Sequence, residues 1–300
     1  LRGRGRRVTF KGTSEQVLAD LIIGDRAPGP PGYNFVRVPD QNRVYAARTD
    51  INISTRFSDW IETNLLEVER DDVKRTVLNE YQIDERTGAV RRRGEFIVDW
   101  VEEYEWTAND VPAGMEVDYV QMNLLVGGII GLEIVGVRPK PEGLSGNLRQ
   151  AFEERTITNA DLQTMQSRGF YPTQSGEMLS NEGELLVRTE EAVLYTLRFG
   201  EILYGSGNAV AIGDQISDDQ DAGVGENRYV LITAEFDPSG LPEPSRPSNR
   251  DFENKAEGQW TDADRENKER ADRYAQWERR TETGQRRAEE LSTRFAKWYY

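Results

Sequence analysis

The residues best suited to chemistry are carboxylates, because the chain holds neither histidine nor cysteine. The densest group is Asp214, Asp218, Asp219 and Asp221, with Glu226 after them, and such a cluster suggests a calcium loop. The spacing argues against it. In "DDQDAGVGE", Gly223 falls where the fifth-position ligand belongs and Val224 where the turn glycine belongs, so the stretch reads as a solvated acidic loop. A second group, Glu102, Glu103 and Glu105 beside Trp100, Tyr104 and Trp106, has the residue types of a glycosidase: paired acids with aromatic platforms. Alternation gives a simpler account, with Trp100, Glu102, Tyr104 and Trp106 on one strand face and Val101, Glu103 and Glu105 on the other. Nothing in the sequence sets a carboxyl separation. Ser180, Asn181, Glu182 and Gly183 read as a turn, and Arg91, Arg92 and Arg93, after Gly88, read as a solvated edge. No catalytic, cofactor-binding or metal-binding residue is assigned, and no cofactor is expected.

Composition narrows the field further. Without histidine or cysteine, Ser-His-Asp and Cys-His catalysis, histidine metal triads and disulfides are excluded. Carboxylate, lysine, tyrosine or Ser-Lys chemistry is what is left. Lys+Arg 38 against Asp+Glu 53 give a net charge of -15, which repels nucleic acid and anionic lipid. A hydrophobic content of 37% is lean but supports a core. The opening "LRGRGRRVTF" has no signal-peptide core, and the most apolar run, "LLVGGIIGLEIVGV", is broken by Glu133 and too short to span a bilayer.

The elements that must position these residues follow from periodicity. Residues 8–49 alternate and turn as a β-meander with a Pro/Gly loop in its middle. Over 54–68, Phe57, Trp60, Ile61, Leu65 and Val68 at helical spacing predict a helix capped by Ser54 and packed on the sheet. "DDVKRTVLNEYQID" predicts a strand and "AVRRRGEFIVDWVEEYEW" a strand pair. Val117, Val120, Leu124, Leu125 and Ile129 predict the buried face of a helix ended by Gly131, with "LEIVGVRP" a buried strand after it. A second meander is expected from "FYPT" through "EMLS", "GELLVRT" and "AVLYTLRFG" to "RYVLITAEF", the acidic loop lying before its last strand. The proline-rich 237–256 reads as a stiff extended connector. From 262 to 297 a long charged helix is predicted, with Thr261 as its cap and Asp264 completing a capping box. It is expected to dock by its ends, with Gly284 marking a soft middle.

The frame "STRFSDW" at 54–60 recurs as "STRFAKW" at 292–298, each after a similar order of strands. That repetition predicts an α+β fold of two tandem β-meander-plus-helix modules, a pseudo-repeat with a long charged C-terminal helix, in which Trp60 and Trp298 occupy equivalent positions. The expected division is 1–85, first module; 86–143, connecting strands, helix and buried strand; 144–236, second meander; 237–256, connector; and 257–300, the long helix and the start of a final strand.

Several phrases carry a family resemblance: "YNFVRVPDQNRVYAARTDINISTRFSDWIE", "IVGVRPKPEGLSGNL", "LSNEGELLVRTEEAVLYTLRFGE", "NRYVLITAEFD" and "RFAKWYY". They resemble planctomycete-type members of domain-of-unknown-function family 4340. The resemblance implies an α/β repeat protein outside the cytoplasm, held by an amino-terminal membrane helix and found with gliding-type ABC transporter auxiliary proteins. It brings no catalytic residues. On this resemblance the chain is expected to be an internal fragment, a non-catalytic extracytoplasmic domain serving as scaffold or substrate-handling component beside an ABC-type transporter. Its expected partners are transporter or membrane-complex subunits, not nucleic acid, and it would meet a membrane only through an anchor outside this stretch. The alternative is a carboxylate-dependent carbohydrate-acting hydrolase.

Overall fold

A computed structural model describes residues 5–12, 16–49, 57–84, 89–102, 105–140, 157–173, 178–203 and 227–300. The chain divides into two compact units, Leu1–Thr55 and Arg56–Tyr300. The first is an antiparallel meander of β1 (Arg6–Lys11), β2 (Val17–Arg26), β3 (Tyr33–Arg37) and β4 (Tyr45–Arg48), in that order across the sheet. Its register puts Val8 opposite Leu21 and Ile23 opposite Val36, an apolar face. On the other face, the Arg7 guanidinium donates twice to Asp20 at 3.0 and 2.6 Å.

The second unit is built on a six-stranded antiparallel sheet. Its strands are β5 (Val73–Asp84), β6 (Ala89–Glu102), β7 (Glu105–Ala108), β11 (Glu184–Thr189), β12 (Val193–Leu203) and β13 (Asn227–Phe236), in the order β13-β12-β11-β5-β6-β7. Between the two halves of the sheet come α1 (Tyr119–Ile130), β8 (Arg138–Pro139), α2 (Asn159–Gln166) and the hairpin of β9 (Phe170–Pro172) with β10 (Met178–Ser180). The chain closes with α3 (Asp262–Ala296) and β14 (Trp298–Tyr299), which pairs with β8. The α+β class and the long charged C-terminal helix are as expected. The division at 85 is not, because β5 pairs with β11 from Val73 to Asn79 and so belongs to the sheet of the later half.

Strict alternation decides which sheet face is covered. Leu185, Val187, Tyr195, Leu197, Ile232 and Ala234 point to one side, where Leu65, Leu66, Val126, Ile129, Leu291 and Phe295 complete a core. A smaller core lies at the β13 end of the other face, with Met165, Phe170, Met178, Leu231 and Tyr299. The last residues of the chain serve both. Phe295 meets Tyr195 edge-on at 6.3 Å, while Tyr299 stacks on Phe170 at 5.3 Å. Tyr300 then exchanges both backbone hydrogen bonds with Val230 of β13, at 2.7 and 3.0 Å.

Several expectations are corrected. Residues 57–60 form one 3₁₀ turn and 61–69 run without a helix. Glu67 sits at φ 53, outside helical space, and the backbone of 63–65 is bonded to 132–134 instead. The segment is pinned by α3, since Arg287 and Arg294 both reach the Glu67 carboxylate, at 2.9 and 2.5 Å. Trp60 and Trp298 are not equivalent: the first is 61% exposed on that single turn, the second 39% exposed in a strand paired with β8. The Phe57 side chain lies outside the described residues. On α1 the buried face is Met122, Val126 and Ile129, whereas Val120, Leu124 and Leu125 face out. After Gly131, which ends α1 as predicted, "LEIVGVRP" makes only a bridge at Glu133 and the two residues of β8. The proline-rich 237–256 is folded onto α3: Leu241 and Phe252 are buried, the Trp277 indole donates to the Leu241 carbonyl at 2.8 Å, and the Ser248 amide donates to Asn267 at 2.9 Å.

α3 begins with the predicted capping box, in which Thr261 and Asp264 each bond the other's backbone. The Lys255 ammonium, 2.8 Å away, and the Thr261 amide hold the Asp264 carboxyl down at about 2. Gly284 is not a soft point. It is buried, and a Cβ there would overlap the Glu191 carbonyl oxygen and come within 2.9 Å of the Phe236 ring. Glycine is what lets the helix lie directly on the turn between β11 and β12.

An exposed helical glycine replaced by alanine gains about 1 kcal/mol. Gly284→Ala is instead expected to lose about 1–3 kcal/mol through overpacking, while Gly128→Ala in α1, with nothing within 4 Å of its added carbon, gains. Denaturant midpoints that rise in both variants would contradict the close approach.

Lys140 gives a second expectation. Its ammonium is buried, donates to the Phe295 carbonyl at 2.8 Å, and is lowered to about 8 by burial, with the Arg198 charge adding to the effect. Between pH 8 and the ordinary value of 10.5, the unfolded chain therefore binds more protons than the native one, and native stability contributed by this group rises with pH. Relative to Lys140→Met, the natural protein should gain unfolding free energy across that window. Parallel pH profiles would contradict it.

Candidate functional site

The cavity of interest opens on the face of the six-stranded sheet that also carries the smaller core, and encloses about 850 Å³. Its floor follows from register. Glu95 of β6 lies opposite Asn79 of β5, Asn79 opposite Glu184 of β11, and Glu184 opposite Arg198 of β12, so four polar side chains stand in one row across four strands. The next row, Ile97, Val77, Leu186, Thr196 and Thr233, is apolar or hydroxylic. Within the polar row Glu184 is fully engaged, accepting from the Asn79 amide at 3.0 Å and pairing with Arg198 at 3.2 Å.

One wall is made by a β-bulge. Glu80 pairs with Gly94 but Tyr81 with Arg92, so Arg93 is the extra residue on β6. Adjacent strand residues ordinarily point to opposite faces. The bulge relaxes that rule and lets Arg92 and Arg93 both border the cavity. Arg93 reaches Glu80 at 3.4 Å. The arginines expected as a solvated edge are thus exposed, and two of them line a concave surface.

On another side the cavity is bordered by Thr173 and by Leu179 of β10, and the turn after β10 holds Tyr81 from behind. Gly183 at φ 83 makes the tight "SNEG" turn that the sequence predicts. Ser180 is fully buried, its hydroxyl donates to the Gly183 carbonyl at 2.5 Å, and its amide donates to the Tyr81 hydroxyl at 3.2 Å. Burial raises the Tyr81 phenol above its ordinary value. Among the described residues no base is bonded to the Ser180 hydroxyl to make it a nucleophile, and the buried Lys140 ammonium is turned to the carbonyl of Phe295. The arrangement offers donors and acceptors already ordered by one another. That suits binding of a polar ligand more than proton transfer.

The acidic clusters singled out in the sequence are not brought together here. Asp214, Asp218, Asp219, Asp221 and Glu226 lie outside the described residues, as do Glu103 and Tyr104, and of Glu102 only the backbone is described. Glu102 faces Glu105 across a hairpin, and Trp100 faces Trp106. Neither indole is a free sugar platform. The Lys74 ammonium sits 3.5 Å over the Trp100 ring, and Trp106 packs against the main core. The row Asn79, Glu184, Arg198 went unnoticed in the sequence, because its members are brought together only by long-range register.

Among the described residues no group of three or more Asp or Glu side chains is placed to hold a metal ion, and no helix is long and apolar enough to cross a membrane. No curated protein and no solved structure matches the chain. Residues 4–146, from β1 through α1 and β8, match the family described as "Domain of unknown function (DUF4340)", the family that the phrases of the sequence resemble.

Proposed function

We propose that the protein is a non-catalytic extracytoplasmic domain of a membrane-anchored protein, serving as scaffold or substrate-handling component beside an ABC-type transporter. The observation that carries the non-catalytic part is the state of the cavity carboxylates. Glu184 is tied to Asn79 and Arg198, and Glu80 to Arg93. A general acid needs a carboxyl in an apolar pocket or beside a second acid, and a glycosidase needs two acids facing one space. Among the described residues two of the three cavity acids, Glu80 and Glu184, face a cation, which leaves Glu95 without a second unpaired acid. The extracytoplasmic location and the transporter rest on the family resemblance.

The reading of the cavity is of a preformed polar surface. Tyr81, Ser180 and the Asn79–Glu184–Arg198 row hold one another in place, which keeps the ordering cost of ligand capture low. Arg92 and Glu95, without an ion pair among the described residues, are left to meet a polar group of either sign.

Because the chain has no cysteine, a single Ser292→Cys change in the full-length protein provides a unique reporter within this stretch, at an exposed position on α3. In cells of the natural host it should react with a membrane-impermeant maleimide without disruption of the inner membrane. Labelling only after lysis would contradict the location. Separately, the purified chain should give no turnover on a panel of glycosides and esters. Turnover abolished by Glu184→Gln would contradict the non-catalytic reading.

A further inference from the structure

Helix α1, "YVQMNLLVGGII", carries no charged side chain, in a chain whose residues are 30% charged. Its inward stripe of Met122, Val126 and Ile129 is buried. The outward side is apolar as well: Val120 is 61% and Leu124 64% exposed, with Leu125 beside them. The apolar surface continues past the helix. Phe96 of β6, Val111 and Met115, the last 69% exposed, border with Leu125 a groove of about 420 Å³. One turn beyond Leu124 comes Gly128, with nothing within 4 Å of where its Cβ would be. Isolated exposed hydrophobics are ordinary, but a contiguous patch of this kind marks an interaction surface.

The kind of occupant follows from two constraints. A helix has its backbone groups bonded internally, so α1 offers no edge to an added strand, and whatever presses on it must satisfy its own backbone. That condition selects another helix, for which Val120, Leu124 and the open space over Gly128 form a seam that permits close approach. The rim decides the charge. Asp110, Glu116 and Asp118 border the groove, and Arg70, the cation bonded to this helix among the described residues, is held by Asn123 at 2.7 Å. With a chain charge of -15, the rim repels a second copy and an anionic lipid surface. It favours lysines and arginines. A helix lying in a bilayer interface carries basic residues on its polar face, and α1 has none.

We propose that the outward face of α1, continued over Phe96, Val111 and Met115, is a docking site for an apolar helix of a partner protein whose ends carry lysine or arginine. This deepens the scaffold reading by giving it a contact surface. Its failure is distinguishable from a failure of that reading, since it is measured on the purified chain and does not depend on location.

The probe is a labelled Leu/Ala helical peptide of roughly 18 residues, about five turns, flanked by lysine pairs, with a twin flanked by glutamates. Fluorescence anisotropy with the purified chain should give binding of the lysine-flanked peptide at least about tenfold tighter than of its twin, and Leu124→Glu should weaken it by at least about tenfold, a difference of ~1.4 kcal/mol. Because Leu124→Glu adds negative charge, general attraction of a basic peptide would strengthen, so weakening reads the apolar face itself. Gly128→Leu, which fills the open seam, should weaken binding too, and since both positions face outward neither variant should unfold more readily than the natural chain. Ser292→Glu on α3 should leave binding unchanged. Absence of binding, equal affinity for the two peptides, or indifference to both α1 variants would overturn the proposal. So would a dimer in sedimentation that Leu124→Glu dissociates, or retention of the chain on phosphatidylcholine vesicles, since each would make a second copy or a bilayer the occupant.

Discussion

The second unit depends on how its last residues wrap the edge of the sheet at β13. An edge strand presents unpaired backbone groups and invites association, and here Tyr300 pairs with Val230 and occupies part of that edge. In the same turn of chain, Phe295 enters the core on one face and Tyr299 the core on the other. A fully buried large side chain contributes ~1.5–3 kcal/mol, so a strap of a few residues fastens both layers at once. β8 joins it through Lys140, whose amide donates to the Lys297 carbonyl and whose ammonium donates to that of Phe295.

What the strap holds at the C-terminus, Gly284 holds farther back. Contact with the β11–β12 turn and the Phe236 ring fixes the height of α3 above the sheet, and from that height Arg287 and Arg294 reach Glu67. The irregular 61–69 segment, whose Leu66 carbonyl accepts from the Tyr195 hydroxyl, is thereby fixed as well. Its backbone bonds to 132–134 lead directly to the end of α1. The cavity lies on the other face, beside the smaller core that Tyr299 completes. One face carries the larger core, and the other is shared between the smaller core and the cavity.

How much of this was legible in the sequence depended on the range of the cause. β11 alternates without error, buried at every second residue, and its strand was plain. The capping box of Thr261 and Asp264 and the end of α1 at Gly131 are local chemistry and were read correctly. Of the inward face of α1 only Ile129 was, because a helix apolar all round gives periodicity no contrast to work with. Gly284 looked like weakness, since a glycine among charges shows its propensity but not the carbonyl packed against it. The 54–68 helix had the right spacing, yet long-range bonds and Glu67 at positive φ prevailed over it. The cavity was the least legible feature, because Asn79 and Glu184 meet across a separation of 105 residues and Arg92 and Arg93 share a wall only through a bulge.

The central claim is that α3 and the strap after it are part of the core and not an appended arm. Native-state hydrogen exchange tests this most directly, because each amide reports the free energy of the opening that exposes it. The account predicts that the amides of 284–296, and that of Tyr300 bonded to Val230, exchange only with the global unfolding that releases β12 and β13, responding to denaturant with the same slope. Exchange of 284–300 through a local opening, well before those strands and insensitive to denaturant, would contradict it.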